Sequence, residues 1–228
     1  MEGEHMPAAA RRLALLALGC LLVTGCAGFR GGWESVAYLG DTPPALRESP
    51  SFFEETQNPP ALELPSLRLQ VTLDNQLRTW DTQLYLFVLP LYIDPRERYW
   101  KNHSPGKTRV FITVTPTEPG FVFRPSQAVL QTGNRRLGGV AGFDFDRWDH
   151  QGMRVREGGS WEHRPVATEL HLDQPGRSYH LSIDFDTPVP SPESREILLD
   201  LSQALGSSRH PALPPIRFVP MRWRRSYS

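Results

Sequence analysis

The chain has only two cysteines, Cys20 and Cys26, among 228 residues. Both lie in the first 26 positions, so the rest of the chain has no thiol for a disulfide, a cysteine-ligated metal or a cysteine nucleophile. Net charge is also missing. Twenty-five basic and 25 acidic residues cancel, which leaves no strong field to draw nucleic acid. No apolar run reaches the ~20 residues that a membrane-spanning helix needs. The local signatures of catalysis are absent as well, with neither a Gly-x-Ser-x-Gly elbow nor a His-Glu-x-x-His zinc motif. Gly106-Lys107-Thr108 looks like the end of a phosphate-binding loop, but Lys101 stands where its first glycine belongs and a strand pattern follows it. Asp144, Asp146 and Asp149 lack the glycine and closing glutamate of a calcium loop.

What is present begins at the N-terminus. Arg11-Arg12 head an apolar stretch, 13–23, of the length of a secretory signal core. Its leucines surround the helix axis instead of forming a stripe, so an amphipathic packed helix does not fit. The stretch closes with Val23-Thr24-Gly25-Cys26, which resembles a bacterial lipobox. The resemblance implies a lipoprotein: residues 1–25 leave as signal peptide and Cys26 carries the lipid. Acylation at Cys20 would leave only 13–18 as signal core, below the usual length. Cys26 is therefore the predicted site. Ala27 stands where an Asp would favour inner-membrane retention in similar enterobacterial lipoproteins, which implies an outer-membrane anchor facing the periplasm. No family motif is recognised beyond residue 26.

Residues 26–66 carry six prolines, and acids outnumber bases there: Glu34, Asp41, Glu48, Glu54, Glu55 and Glu63 against Arg30 and Arg47. This predicts an acidic, semi-extended tether, although Trp33, Tyr38, Phe52 and Phe53 suggest that parts of it lie on the domain. The opposite end is basic. Arg222-Trp223-Arg224-Arg225 admits two readings. One is a contact with an anionic lipid surface; in the other, Trp223 caps the core and the arginines neutralise the acidic segment.

Residues 67–228 read as a mainly β domain. Leu67, Leu69, Val71 and Leu73 alternate with polar residues, as do Val110, Ile112 and Val114. The apolar stretch 84–93 predicts a strand buried on both faces with Pro90 at an interruption or an edge. The alternating runs 166–173 and 179–186 flank Pro175-Gly176, a type II turn pair. Together they predict a hairpin with Leu170 opposite Leu181 and His171 opposite His180. Ser191-Pro192-Glu193, followed by Ile197, Leu198, Leu201 and Leu205, predicts an amphipathic helix over 192–205. A last strand runs over 216–227, broken at Pro220. The expected fold is an antiparallel β-sandwich or partly open barrel with one C-terminal helix.

An opposed His171–His180 pair would bring two imidazoles within reach of one metal ion, with Glu169 or Asp173 as a third ligand. A solvated sheet face explains the pair as well, and no cofactor is predicted. The expected function is a lipid-anchored cell-envelope binding or scaffolding module. Its predicted partners are membrane lipid, through Cys26, and an envelope protein. The alternatives are a carrier of a small ligand and a hydrolase whose catalytic residues are scattered in sequence.

Overall fold

A computed structural model describes residues 27–45, 61–85, 89–99 and 106–227. Cys26 lies outside the described residues. The first strands are β1 (Ala27–Leu39), β2 (Leu62–Leu64), β3 (Leu67–Leu73), β4 (Leu77–Tyr85), β5 (Leu89–Asp94) and β6 (Arg98–Tyr99). The middle of the chain gives β7 (Thr108–Pro116), β8 (Phe121–Phe123), β9 (Val129–Thr132), β10 (Arg135–Trp148) and β11 (Ser160–Pro165). The remainder is β12 (Leu170–Leu172), β13 (Tyr179–Phe185), β14 (Ile197–Asp200), β15 (Leu205–Gly206) and β16 (Ile216–Tyr227). One 3-10 turn, Pro125–Gln127, is the only helical element among the described residues. The protein is mainly β and its ladders are antiparallel.

The large sheet follows the order β3-β7-β13-β10-β9-β14-β16-β1, and a single bridge between Val36 and Thr72 joins β1 back to β3. The strand pairings therefore run round a ring. β4 and β5 continue the sheet outward from the N-terminal half of β1. A second sheet, β12-β8-β15, contributes Phe121, Phe123, Leu172 and Leu205 to the same apolar core as Leu69, Ile112, Val114, Leu130 and Ile183. Alternation explains why these residues point inward: in β3, buried Leu67, Leu69, Val71 and Leu73 are interleaved with exposed Arg68, Gln70 and Thr72.

Five expectations are corrected. Residues Ala27–Leu39 are not tether but the longest partner of β16, paired from Gly28–Tyr227 to Leu39–Ile216. The prolines that suggested a tether all come after this strand, from Pro43 onward. Its own Gly31-Gly32 is needed where β4 crosses close. A Cβ on Gly32 would run into the Leu77 carbonyl and one on Gly31 into the Trp80 ring, at the point where the β1–β4 register slips.

The predicted hairpin does not form. β12 pairs with β8, placing Leu170 opposite Phe123, whereas β13 pairs with β7 and β10, placing Leu181 opposite Ile112 and Asp144. The turn itself is as expected: Gly176 has φ 75° and the Arg177 N–H donates to the Gln174 carbonyl at 3.2 Å. It carries the chain from one sheet to the other. Two strands that bury alternate residues on opposite sides of one core have the same periodicity as two that pair.

The helix over 192–205 is absent. β14 buries Ile197 and Leu199 and leaves Leu198 half-buried, and Leu201, Ala204 and Leu205 follow in the core. Three apolar residues in succession fit period 2 as well as period 3.6. A single helical turn survives, with the Leu205 N–H donating to the Leu201 carbonyl at 2.8 Å. The stretch 84–93 is likewise not one buried strand. It is divided between β4 and β5, which pair as Leu84–Pro90 and Tyr85–Leu89, and Tyr92 and Ile93 are exposed. Finally, β16 runs through Pro220 without the expected break, with Ser35 opposite the proline.

The β4–β5 ribbon is fastened by charge. Asp94, buried, receives Arg96 at 2.7 Å and Arg78 at 3.4 Å, and Arg78 also reaches Asp81 at 2.6 Å. The hydrogen bonds from Arg96 hold the Asp94 carboxyl down at about 2, against the ordinary 3.8. A lowered acid pKa stabilises the fold above its unfolded value, and that stability disappears as pH falls through the folded value.

Two outcomes are expected. Leu199→Ala should cost ~2–5 kcal/mol in urea unfolding, and Leu198→Ala clearly less; the reverse order would restore a helical register. Asp94→Asn should be less stable than the parent at neutral pH, with the difference closing between 3.8 and about 2 in acid-unfolding curves.

Candidate functional site

The sequence-predicted metal ligands are separated by the fold. His171 stands on β12 opposite Val122, with its ring nitrogen 3.2 Å from Glu169. Glu169 also receives Arg124 at 3.0 Å. His180 stands on β13 between Thr113 and Phe145, 3.2 Å from the Thr113 hydroxyl. The expected opposed pair is thus not formed, because the two histidines belong to different sheets. Among the described residues no three His, Cys, Asp or Glu side chains converge as a metal site. Asp144 and Asp146 are held by guanidinium groups: Arg154 is ion-paired with both and Arg177 reaches Asp146 at 2.5 Å. Asp173 lines a cleft beside Arg177.

Of the C-terminal candidates, Trp223 lies in the interior and Arg225 approaches an acid of β1. Trp223 is 3% exposed and its indole N–H donates to the Trp33 carbonyl at 3.1 Å. Arg222 lies over the Trp33 ring, Arg225 over the Trp223 ring and 3.8 Å from Glu34, and Arg217 reaches Asp41 at 3.2 Å. Burial pushes the Glu34 carboxyl up from its ordinary value, against the opposing effects of Arg225 and Gln76. The indole is not available to a membrane surface, whereas Arg222 remains exposed.

Two surfaces meet at β10 and β11. On the outer face of β7, β13 and β10, Phe143, Phe145, Trp161, His163 and His180 form a continuous band. His163 stacks on Phe145 at 4.5 Å, Trp161 stacks on the same ring at 5.2 Å, and His180 meets the Trp161 edge at 6.5 Å. Phe111, Thr113 and Ser182 complete a shallow groove of about 390 Å³. Arg109, fixed by two hydrogen bonds to Asp184, lies 5.0 Å from the Phe143 ring centre. Burial and the Arg109 charge push the His163 imidazole down from its ordinary value, so it is neutral at neutral pH and stacks as an aromatic ring.

Round the end of the strands lies a cleft of about 830 Å³, lined by Arg147, Arg156, Arg177, Asp146, Asp173 and Trp161. Its Asp146 belongs to an ionic plug, in which Arg154 is ion-paired with both Asp146 and Asp144. Asp144 is 4% exposed and ion-paired with Arg154, whose guanidinium sits 5.1 Å from the Trp148 ring and 5.6 Å from Tyr179. Burial and the neighbouring Arg177 push the Arg154 guanidinium down. Trp161 lines both the groove and the cleft and is 49% exposed. No pattern in the sequence picks out this indole, because its neighbours come from positions 111–182.

A third arrangement, also unpredicted, couples Ser66 in the β2–β3 turn to His210 near the C-terminus. The Ser66 hydroxyl is 3.0 Å from His210 Nδ1, His210 Nε2 is 3.3 Å from a Glu118 oxygen, and Phe121 stacks on the imidazole. A small apolar pocket of about 150 Å³ adjoins it, lined in part by Leu64, Pro65 and Leu213. The Glu118 approach is short enough for an ion pair but is not aligned as a hydrogen bond, since Nε2 has no bonded partner.

The plug makes a quantitative prediction. Arg154→Met strands a buried carboxylate on Asp144 and should cost ~3–5 kcal/mol, and adding Asp144→Asn should recover most of it. Urea unfolding of the two single variants and the double reads this coupling. Strictly additive losses would mean that the pair does not act as a unit.

Comparison with known proteins adds no assignment: no family model, no curated protein and no solved structure matches this chain.

Proposed function

We propose that the chain is a lipid-anchored cell-envelope protein of the bacterial periplasm that works by binding, with the β10–β11 surface as its contact. The anchor is the acylated Cys26, and the strand ring is a partly open barrel, not a sandwich. A ring of pairings closed by the single Val36–Thr72 bridge supports that choice. Between β1 and β10 lie four antiparallel steps, through β16, β14 and β9. The two strands therefore run in the same sense, and the C-terminal end of β10 points away from the start of β1. Anchoring at Cys26 leaves the cleft and the aromatic band facing outward into the periplasm. The observation that carries the binding reading is Trp161, a half-exposed indole shared by an aromatic groove and an arginine-lined cleft. The interior favours this over a carrier, because the inward side chains of both sheets pack into one apolar cluster.

Hydrolysis is the second reading, favoured by the Ser66–His210 contact at 3.0 Å beside an apolar pocket. Against it, Ser66 is buried and Glu118 is poorly aligned with the imidazole. The contact also has a structural use, tying the segment around His210 to the β2–β3 turn.

Three measurements on cells producing the full chain separate the readings. Fatty-acid labelling should vanish in Cys26→Ala; label retained there would move the anchor to Cys20. A photo-crosslinking residue at Trp161 should give a discrete adduct, absent when placed at exposed Arg135, and no adduct at Trp161 would remove this surface as the contact. Fluorophosphonate should not label the protein; labelling lost in Ser66→Ala would transfer the function to hydrolysis.

A further inference from the structure

Packing alone does not account for Ser182 on β13. The residue is 2% exposed, and its hydroxyl has no hydrogen-bond partner among the described residues. It stands between Phe111 on β7 and Phe143 on β10, and it lines the groove of about 390 Å³. A buried hydroxyl without a partner destabilises a fold, and alanine would fill the same place without that cost. Such a hydroxyl in the wall of an open groove gains its partner when a ligand supplies one.

The rest of the wall says what that ligand is. His180 meets the Thr113 hydroxyl through Nδ1, at 3.2 Å, and its Nε2 has no partner among the described residues. His163 makes ring contacts but no hydrogen bond among the described residues. A neutral imidazole offers one donor and one acceptor. Phe111, Phe145 and Trp161 place apolar area between these polar groups, and no Asp, Glu, Lys or Arg lines the groove among the described residues. The volume lies in the ordinary range of small-ligand sites. Hydroxyl-sized hydrogen bonds interleaved with aromatic contact match a sugar ring, whose C–H faces pack on aromatic groups while its hydroxyls reach outward.

Trp161 continues this surface into the cleft. Arg147 lies 5.3 Å from the indole centre and Arg156 lines the same cleft, and neither is ion-paired among the described residues. Asp146 is already neutralised by Arg154 and Arg177. Asp173 is the other lining acid, so positive charge is in excess. A ligand that extends past Trp161 therefore meets guanidinium groups, which take a carboxylate through paired hydrogen bonds.

We propose that groove and cleft together bind an acidic glycan, with a sugar ring against Ser182, His163, His180 and Trp161 and a sugar-borne carboxylate at Arg147 and Arg156. The inference rests on the reading of the β10–β11 surface as the binding contact and gives that contact its ligand. An acidic peptide would satisfy the arginines alone. The orphaned Ser182 hydroxyl and the two open imidazoles, set between rings, call for a partner rich in hydroxyls. Carboxylated sugars come from two sources, uronic acid polymers and the lactyl-bearing amino sugar of cell-wall glycan.

Calorimetric titration of the full chain in detergent tests this with tetragalacturonate, with the N-acetylglucosamine–N-acetylmuramic acid disaccharide and with neutral chitotetraose. At least one acidic probe should bind, more tightly than chitotetraose and less tightly as salt rises, and the probe that binds identifies the source. Ser182→Ala should weaken that binding roughly five- to tenfold while its urea midpoint stays equal or rises, a combination that a purely structural serine does not give. Arg147→Gln with Arg156→Gln should remove the preference for acid. Arg135→Gln, at an exposed position outside groove and cleft, should change nothing. Binding that is absent, equal for neutral and acidic probes, or untouched by Ser182→Ala overturns the proposal. The crosslinker at Trp161 distinguishes this failure from failure of the surface itself. A protein adduct there without glycan binding overturns the glycan and leaves the surface as the contact; no adduct and no glycan binding remove both.

Discussion

β1 and β16 are paired along nearly their whole length, from Gly28 opposite Tyr227 to Leu39 opposite Ile216. This long-range ladder joins the two ends of the described chain, and the remaining arrangement hangs on it. Without β1, the Val36–Thr72 bridge that returns the sheet to β3 is lost, β16 becomes an open edge, and β4 and β5 have nothing to build on. The cross-strand aromatic and charged contacts strengthen the ladder. Trp223 is buried through its bond to Trp33, Arg222 covers Trp33, and Arg225 approaches Glu34. The loop-closure entropy of joining positions so far apart is only logarithmic in length, and the burial of Phe29, Val36, Phe218 and Trp223 along these strands offsets it.

The same ladder gives the molecule two unlike ends. At one, the start of β1 pairs with β4. At the other, the C-terminal half of β10 carries Asp144 and Asp146 into a plug closed by Arg154 and Arg177.

Period-2 alternation made β3 and β7 legible in the sequence almost to the residue, and the bounds of β16 were legible but not its continuity through Pro220. What alternation does not contain is the identity of the neighbour. β12 and β13 were both visible as strands, yet a local hairpin and a crossing between sheets bury the same leucines. Ile197-Leu198-Leu199 was ambiguous for a different reason, since three adjacent apolar residues satisfy either period. Proline content misled over residues 26–66, because β1 lies wholly before the first proline and the short β2 fits between Pro60 and Pro65. The candidate surfaces were the least legible part. Trp161, Phe145 and His163 meet only through the β10–β11 register, and Ser66 meets His210 across 144 positions. The approach of Arg225 to Glu34 was the part of the tail that charge asymmetry alone suggested.

Native-state hydrogen exchange on the full chain tests the central claim, that the segment following Cys26 is an integral strand of the domain and not a tether. Amides from Phe29 to Leu39 are predicted to exchange with opening free energies close to those of β7 and β13, as expected of one cooperative unit. Exchange of these amides at unstructured rates, while β7 and β13 stay protected, would contradict the account and return residues 27–39 to a free tether.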